Sequence, residues 1–282
     1  MKKVWFITGA SKGLGLALVK KLLSEGYKVA ATSRTKEILA QAVGNYDENQ
    51  FLPLAVDLTS EASISNAVKT TNDTFGSIDV VVNNAGYGIG GAVEELNTQE
   101  INDSFNVNVF ATIHVIQQVL PFMRVQRSGH IINISSIAGF AAASGWGMYA
   151  ATKFAVMGLT EVLADDVKEF GIHATVVAPG AFRTEFLTKE SLVFSAKKIE
   201  DYTTIQASHA KYATMNGTQI GNPEKAADIF IQLAEHPNPP VRLFLGSDAY
   251  KRAQAKIELL NNEMEQWKDW SFATDFGKQK AY

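Results

Sequence analysis

The chain has 282 residues, of which 46% are hydrophobic and 20% are charged, and its 26 basic and 29 acidic side chains give a net charge of −3. This composition is typical of a globular protein with a sizeable core and excludes disordered, collagen-like and low-complexity classes. The charge balance leaves no basic surplus with which to bind nucleic acid or an anionic membrane. Because the chain has no cysteine, disulfides, thiolate catalysis and cysteine-ligated metals are excluded, and a reducing compartment is favoured.

Membrane and metal classes are also disfavoured. Nowhere does the chain contain the roughly 18 consecutive apolar residues of a membrane span. The apolar run at 4–7 is too short for a signal peptide, so we expect a cytoplasmic protein. The histidines are far apart and show no metal-ligand spacing, so we expect no metal site. They are His114, His130, His173, His209 and His236.

Short apolar runs alternate with longer helical patterns along the chain. The runs show little polar alternation, which is typical of strands covered on both faces. Strands separated by helices predict a Rossmann-type, doubly wound parallel sheet with helices on both faces, formed by one domain over 1–282. The predicted strands are 4–7, 29–32, 51–56, 80–82, 131–134, 174–177 and 241–245. The predicted helices are 14–25, 64–75, 101–125 and 149–169.

Two stretches depart from this alternation. Segment 181–221 is long for a connection and mixes aromatic with polar residues, so we predict a mobile lid with a short amphipathic helix over the ligand. A permanently packed helical pair is the alternative. The C-terminal extension 247–282 contains an apolar stripe with helical spacing, which predicts a helix docked on the body or, alternatively, a subunit contact. The stripe comprises Ala249, Ala253, Ile257, Leu260, Met264 and Trp267.

A glycine-rich turn, T-G-A-S-K-G-L-G over residues 8–15, follows the first strand and opens the first helix. A dinucleotide pyrophosphate binds bare backbone N–H groups at a helix N-terminus, where no Cβ stands in the way. Gly9, Gly13 and Gly15 supply this backbone. The position of the turn favours a nucleotide-binding loop over an ordinary tight turn.

The end of the second strand indicates whether such a loop would bind NAD or NADP. An NAD site places Asp or Glu there, whereas this strand ends without a carboxylate and is followed by Arg34. Arg34, assisted by Lys12, is suited to a 2′-phosphate and favours NADP(H), although each cation alone is also typical of a solvated surface. Asp57, followed by Leu58, is placed to accept from an adenine amino group or, equally, to cap a turn.

Further candidate site residues are predicted at the same edge of the sheet. The small residues Ala85 and Gly86 come after the fourth strand, and Ser136 closes the fifth. Tyr149 and Lys153 lie four residues apart on a predicted helix and share one face. A nearby ammonium stabilises a phenolate and lowers the pKa of tyrosine from about 10. On its spacing alone, such a pair is more typical of an ordinary helix surface.

Taken together, these motifs resemble the short-chain dehydrogenase/reductase family from Lys2 to about Thr184. The resemblance rests on T-G-A-S-K-G-L-G, on N-N-A-G at 83–86, on Ser136 with Y-A-A-T-K at 149–153, and on Pro179-Gly180 with Thr184. It implies that Tyr149 is the general acid/base and that Lys153 lowers its pKa and binds the nicotinamide ribose. It also implies that Ser136 polarises the substrate carbonyl. Asn108, by its spacing to Leu120-Pro121, would anchor a proton-relay water.

We therefore expect an NADP(H)-dependent oxidoreductase that interconverts a ketone or aldehyde with an alcohol and forms a homodimer or homotetramer. A dinucleotide-binding redox sensor without turnover, and an epimerase or dehydratase on the same scaffold, are the alternatives; the Tyr–Lys pair and the glycine spacing favour the reductase. An apolar substrate would contact Ser136, Tyr149, Phe140, Trp146, Phe182 and Phe186. The expected cofactor-binding residues are Gly9, Ser11, Lys12, Gly13, Leu14, Gly15, Arg34, Asp57, Leu58, Asn84, Ala85, Gly86, Tyr149, Lys153, Pro179, Gly180 and Thr184.

Overall fold

The structure is a computed structural model that describes residues 2–276. Strands and helices alternate along most of this length. The strands are β1 (Val4–Ile7), β2 (Lys28–Ser33), β3 (Phe51–Ala55), β4 (Val80–Asn83), β5 (Gly88–Gly90), β6 (Gly129–Ile134), β7 (Ile172–Pro179), β8 (Leu192–Phe194) and β9 (Arg242–Leu245). The helices are α1 (Gly13–Ser24), α2 (Lys36–Val43), α3 (Glu61–Phe75), α4 (Thr98–Phe105), α5 (Ala111–Gln126), α6 (Gly147–Asp166), α7 (Thr203–Thr214), α8 (Pro223–Glu235), α9 (Ser247–Gln266) and α10 (Lys268–Phe272).

Seven strands form one parallel sheet in the order β3-β2-β1-β4-β6-β7-β9. The chain runs outward from β1 to β3 and then crosses back to β4 on the other side of β1. This reversal makes the gap between the β1 and β4 carboxyl ends a topological switch point, where open α/β sheets bind ligands. The doubly wound Rossmann-type sheet predicted from the sequence is confirmed.

Both faces of the sheet are covered by helices. Along β1, Trp5 and Ile7 face a core that includes Leu22 of α1 and Phe230 of α8. Phe6, between them, faces the opposite core, with Ile64 of α3. Successive side chains of a strand point to opposite faces, so a strand buried on both sides reads as an unbroken apolar run.

The predicted strands are all present, with bounds that differ by one or two residues at most. The single helix predicted at 101–125 is wrong in detail. The chain instead forms α4, a π-helical turn at Asn106–Phe110 and then α5. A π turn adds one residue to a helix turn, which shifts the side-chain pattern without interrupting its apolar character. Helices α2 and α8 were not predicted.

Segment 181–221 is not a structureless connection. It contains a 3₁₀ turn at Glu185–Leu187, strand β8 and helix α7, and β8 pairs in parallel with β5. Its two ends are joined: the Gly221 N–H donates to the Ala181 carbonyl at 3.0 Å, and the Arg183 N–H donates to the Gly221 carbonyl at 2.9 Å. The aromatic and aliphatic residues between Phe182 and Tyr202, from which an amphipathic helix was predicted, do not form one: they lie in the 3₁₀ turn, in β8 and in the chain around them, and α7 begins only at Thr203.

The C-terminal extension docks through its first turns only. Ala249 and Ala253 of α9 are buried against Ile137, whereas Met264 and Trp267 are 72% and 48% exposed. The final part of the predicted extension, 277–282, lies outside the described residues. Within residues 2–276, no helix is long and apolar enough to cross a membrane.

Candidate active site

A cavity of about 1240 Å³ opens at the carboxyl edge of the sheet, above the switch point. It extends from the glycine-rich turn after β1, past Tyr149 and Lys153 of α6, to helix α7 and the first turns of α9. The predicted cofactor and substrate residues therefore share one continuous space. Gly15, Asn108 and Phe140 are the predicted site residues that do not line it.

The glycine-rich turn is held against the end of β4 by a short hydrogen-bond network. The Thr8 hydroxyl accepts from the backbone N–H groups of Asn84 and Ala85, both at 3.1 Å. The Asn84 amide donates to the carbonyls of Thr8 and Gly9 at 3.0 and 2.9 Å. A Cβ on Gly9 would lie 2.7 Å from Ala85 Cα, and one on Gly15 would lie 2.5 Å from Asn84 Nδ2. These glycines are therefore required by close packing.

The N-terminus of α1 points its backbone N–H groups at the cavity. The N-cap residue, Lys12, makes no side-chain hydrogen bond to this helix, so its first N–H groups can donate to a negatively charged partner from elsewhere in the site. The Gly13 N–H donates to Glu185 Oε2 at 3.2 Å, and Lys12 Nζ lies 3.3 Å from Glu190 Oε2. Ser11 and Leu14 line the cavity beside them. Two carboxylates from segment 181–221 thus occupy donors that suit the phosphates of a dinucleotide.

The end of the cavity beside β2 and β3 carries the predicted Arg34 and Asp57. Arg34 is exposed directly after β2 and lines the cavity. Asp57 Oδ1 accepts from the backbone N–H and the hydroxyl of Thr59 at 2.9 and 2.7 Å, which lowers the pKa of the Asp57 carboxyl. The turn interpretation of Asp57 is therefore correct. Asp57 and Leu58 also line the cavity, so adenine contact stays a prediction.

Helix α6 brings Tyr149 and Lys153 to the cavity. Tyr149 is 8% exposed and Lys153 is 4% exposed. Lys153 Nζ donates to the Ile134 carbonyl at 3.0 Å and lies 5.9 Å from the centre of the Tyr149 ring. Ser136, just beyond β6, is fixed by an Ala138 N–H that donates to its hydroxyl at 3.1 Å. Ser136, Tyr149 and Lys153, which were predicted to be catalytic, thus lie on one cavity.

Burial is the largest influence on the pKa values of Tyr149 and Lys153. It raises the pKa of Tyr149 to about 12, against a lowering effect of the Ser136 hydroxyl, while Tyr212 raises it further. Burial also lowers the pKa of Lys153 to about 8. Desolvation of the phenolate is the largest cause of this shift, and the expectation that the ammonium, together with a nicotinamide cation, lowers the pKa of Tyr149 stays a prediction. The phenol is therefore protonated near neutral pH.

Asn108 lies behind the cavity wall, in the π-helical turn. Its side-chain oxygen accepts from the Tyr87 N–H at 3.0 Å, and its amide donates to the Tyr87 carbonyl at 2.9 Å and to the Thr152 hydroxyl at 3.1 Å. A Cβ on Gly86 would lie 3.0 Å from Asn108 Oδ1 and 3.2 Å from Lys153 Nζ. Asn108 thus approaches Lys153 across a gap that Gly86 leaves open. π turns occur frequently at functional sites.

The predicted apolar wall is present except for one residue. Trp146, Phe182 and Phe186 line the cavity, and the Phe186 ring lies 6.0 Å from that of Tyr149. Phe140, predicted as a substrate contact, does not line the cavity. Its ring lies 5.1 Å from that of Phe244 and packs on a core cluster that includes Val156 and Met157.

Sequence reasoning missed part of the site. The Trp146 ring lies 4.9 Å from those of both His209 and Tyr212. One face of α7 lines the cavity, through Thr204, Ala207, Ser208, Lys211 and Tyr212. Their spacing of three and four residues is the signal that could have identified this face. Asp248 and Arg252 of α9 line the cavity as well, and nothing in their local sequence indicates it.

Comparison with known proteins agrees with this geometry. The family model for short chain dehydrogenase matches residues 3–192. Oxidoreductase BOA17 of Botryotinia fuckeliana is 37% identical over 275 residues, which are 97% of this chain and 100% of that protein. A short-chain dehydrogenase from Streptomyces avermitilis has a TM-score of 0.91 at 34% identity, covering 98% of this chain and 100% of that one.

A second solved structure, ElxO with NADP bound, has a TM-score of 0.72 at 29% identity and covers 87% of this chain and 97% of that chain. The family model covers most of the described fold, including the glycine-rich turn, Ser136, Tyr149 and Lys153. The relatives extend the match over nearly the full length. The chain belongs to the short-chain dehydrogenase/reductase family of oxidoreductases.

Proposed function

We propose that the protein is an NADP(H)-dependent carbonyl reductase or alcohol dehydrogenase that interconverts a ketone or aldehyde with the corresponding alcohol. The observation that carries this proposal is the placement of Tyr149, Lys153 and Ser136 on one cavity with the N-terminus of α1, whose N-cap residue makes no side-chain hydrogen bond. A proton donor and a dinucleotide site in one enclosed space are the two requirements of this reaction.

The residues present fit the cofactor. Gly13 and Lys12 already hold carboxylates, and Arg34 ends the strand at which an NAD site would carry an acid. We assign Lys12 and the α1 N-terminus to the phosphates, Arg34 to the 2′-phosphate, and Pro179, Gly180 and Thr184 to the nicotinamide end. When bound, the nicotinamide supplies or accepts a hydride.

Positioning of the carbonyl and transfer of the proton are assigned to side chains of the protein. Ser136 donates a hydrogen bond to the carbonyl oxygen and fixes its position. Tyr149 passes its phenolic proton to that oxygen in reduction and takes it back in oxidation. Lys153 offsets the negative charge left on Tyr149 and binds the cofactor ribose, while Asn108 anchors a water that returns the proton. Trp146, Phe182 and Phe186 favour an apolar substrate.

Segment 181–221 is proposed to act as the lid of this site. Its acids Glu185 and Glu190 hold donors that the cofactor phosphates would require, so cofactor binding must release both contacts. No side chain of α7 is fully buried, which limits the packing that opposes movement. Closure would exclude water and set the size of the substrate.

A homodimer or homotetramer is also proposed. Its support is the apolar stripe of α9 and α10, where Ile257, Met264, Trp267 and Trp270 are between 46% and 75% exposed. Exposed apolar side chains grouped on one element are typical of an interaction surface.

Tyr149→Phe tests the proposed function. In an NADPH-oxidation assay with a panel of ketones and aldehydes, we expect wild-type turnover, and a loss of at least about 10² to 10⁴ in the variant because the proton donor is gone. NADPH binding, measured by fluorescence, should persist. Tyr250→Phe, an exposed tyrosine outside the cavity, should behave as wild type. Absence of turnover in the wild type would point to a sensor, and more than a tenth of wild-type turnover in Tyr149→Phe would refute its role.

Arg34→Asp tests the choice of dinucleotide. Replacing the cation with an anion should raise the KM for NADPH strongly and improve the use of NADH, because the 2′-phosphate is then repelled. Lys20→Asp makes the same change in charge at an exposed position of α1 outside the cavity and should leave the preference unaltered. Equal efficiency with NADPH and NADH in the unsubstituted protein contradicts the assignment.

The pH profile of reduction follows from the two buried groups. Reduction requires Tyr149 protonated, and with a pKa raised to about 12 the phenol stays so throughout the usual assay range. It also requires the Lys153 ammonium, whose pKa is lowered to about 8; the charge is complete below that value and is lost as pH rises through it. We expect kcat/KM for reduction to be level on the acid side of about 8 and to fall above it. A rate that rises through this range is the contrary result.

Hydrogen exchange across residues 185–215 tests the lid. Without NADPH, the amides of this segment should exchange readily, because the segment is free to move away from the cavity. With NADPH, their protection should increase as the lid orders over the ligand, whereas the core strand β4 should show no change. High protection that is equal in both states would favour the packed helical pair instead.

A further inference from the structure

We propose that Asp248, in the first turn of α9, is a positioning residue that fixes the Gly180–Ala181 backbone at the nicotinamide end of the cavity. The C-terminal extension is then a working part of the active site. This inference rests on the proposed function, because it assigns a role to Asp248 through the cofactor. Asp248 lies outside residues 3–192, the part of the chain that the family model matches.

Asp248 contacts the chain directly after strand β7. Strands β7 and β9 are neighbours in the sheet, and their last residues pair, Pro179 with Leu245. The Gly180 N–H donates to the Leu245 carbonyl at 2.9 Å. One residue later, the Ala181 N–H donates to Asp248 Oδ2 at 2.8 Å. The carboxylate thus holds the chain where it leaves the sheet and enters the lid segment.

Two glycines make room for this carboxylate. A Cβ on Gly180 would lie 2.2 to 2.4 Å from the carboxyl atoms of Asp248, and a Cβ on Gly246 would lie 2.8 Å from its Oδ1. Contacts this short are incompatible with any other side chain at Gly180 while Asp248 keeps its place. Asp248 and Gly180 are therefore matched to one another in the fold.

Helix capping does not account for Asp248. An acid in the first turn interacts favourably with the helix dipole, but no side-chain hydrogen bond caps α9, and the carboxylate instead accepts from Ala181. Its Oδ1 is buried and has no partner in the part of the chain that the structure describes. A buried, half-satisfied carboxylate costs stability, so a gain in stability alone does not explain this residue.

The same helix also contacts the loop after β6. Arg252, one turn after Asp248, donates to the Ala141 carbonyl, and Ala249 packs on Ile137 directly after Ser136. The first turns of α9 thereby join the Gly180–Ala181 backbone to the loop that carries Ser136. Asp248 therefore fixes the Gly180–Ala181 backbone relative to this loop. It thereby sets the position of the nicotinamide relative to Ser136, which holds the substrate carbonyl.

The experiment compares Asp248→Ala, Asp248→Asn and the control Glu263→Ala, an exposed acid later on α9. Fluorescence titration gives the Kd for NADPH and, by competition, for 2′,5′-ADP, the cofactor fragment that lacks nicotinamide. We expect Asp248→Ala to weaken NADPH binding about tenfold, the effect of one hydrogen bond to a charged group. Its KM for NADPH should rise in proportion. Its affinity for the fragment should not change, and Asp248→Asn, whose amide oxygen accepts the same hydrogen bond, should restore NADPH binding.

A second variant covers the case in which Asp248→Ala does not fold. Gly180→Ala should displace the carboxylate and weaken NADPH binding similarly, and in the Gly180→Ala/Asp248→Ala double variant the two effects should not multiply, because the added methyl group then has space. Wild-type NADPH binding in both single variants, equal weakening of fragment and NADPH, or effects that multiply would overturn the inference. A wild-type protein that binds no NADPH would instead contradict the proposed function.

Discussion

The close approach of two chain segments across the switch point sets the geometry of the whole site. The turn after β1 and the turn after β4 touch at Gly9 and Ala85, where even one added carbon would clash. The Asn84 amide and the Thr8 hydroxyl then fix each turn to the backbone of the other. Because α1 begins from the first of these turns, the direction of its anion-binding end is determined by a contact between neighbouring strands. The other site elements are placed relative to that end.

A second constraint on the site is that the Lys153 ammonium is buried close to the Tyr149 phenol. Lys153 has one backbone carbonyl as its hydrogen-bond partner in the described chain, and burying a charge with so few partners is costly. The absent side chain of Gly86 leaves the space between Lys153 and Asn108 open. This explains the glycine of N-N-A-G in physical terms: any side chain at Gly86 would press on both buried polar groups. The cost of burial and the perturbed titration have the same origin.

The sheet, and most of the residues that line one end of the cavity, could be predicted from the sequence because both depend on local signals. Unbroken apolar runs mark the buried strands, and glycines mark positions where backbones approach. Phe140 could not be separated from Trp146 and Phe186 in this way, since an aromatic residue near a motif suits a core and a pocket equally well; only the packing on Phe244 decides. Asp248 and Arg252 were not found because their partners lie more than 60 residues away in sequence. The pKa of Tyr149 depends on its degree of burial, which spacing does not reveal.

Because the two ends of segment 181–221 are joined, its length and sequence can change during evolution without moving the rest of the fold. The Ala181–Gly221 and Arg183–Gly221 hydrogen bonds close the segment at its base, so the path from β7 to α8 does not depend on what lies between. The entropy of closing a loop grows only slowly with its length. Insertions, deletions or an exchanged helix in this segment can therefore be accepted while the sheet and the side chains of Ser136, Tyr149 and Lys153 keep their places. Substrate range and chemistry can evolve separately in this architecture, and grafting a relative's segment between these two anchor points is a direct route to engineering a new specificity.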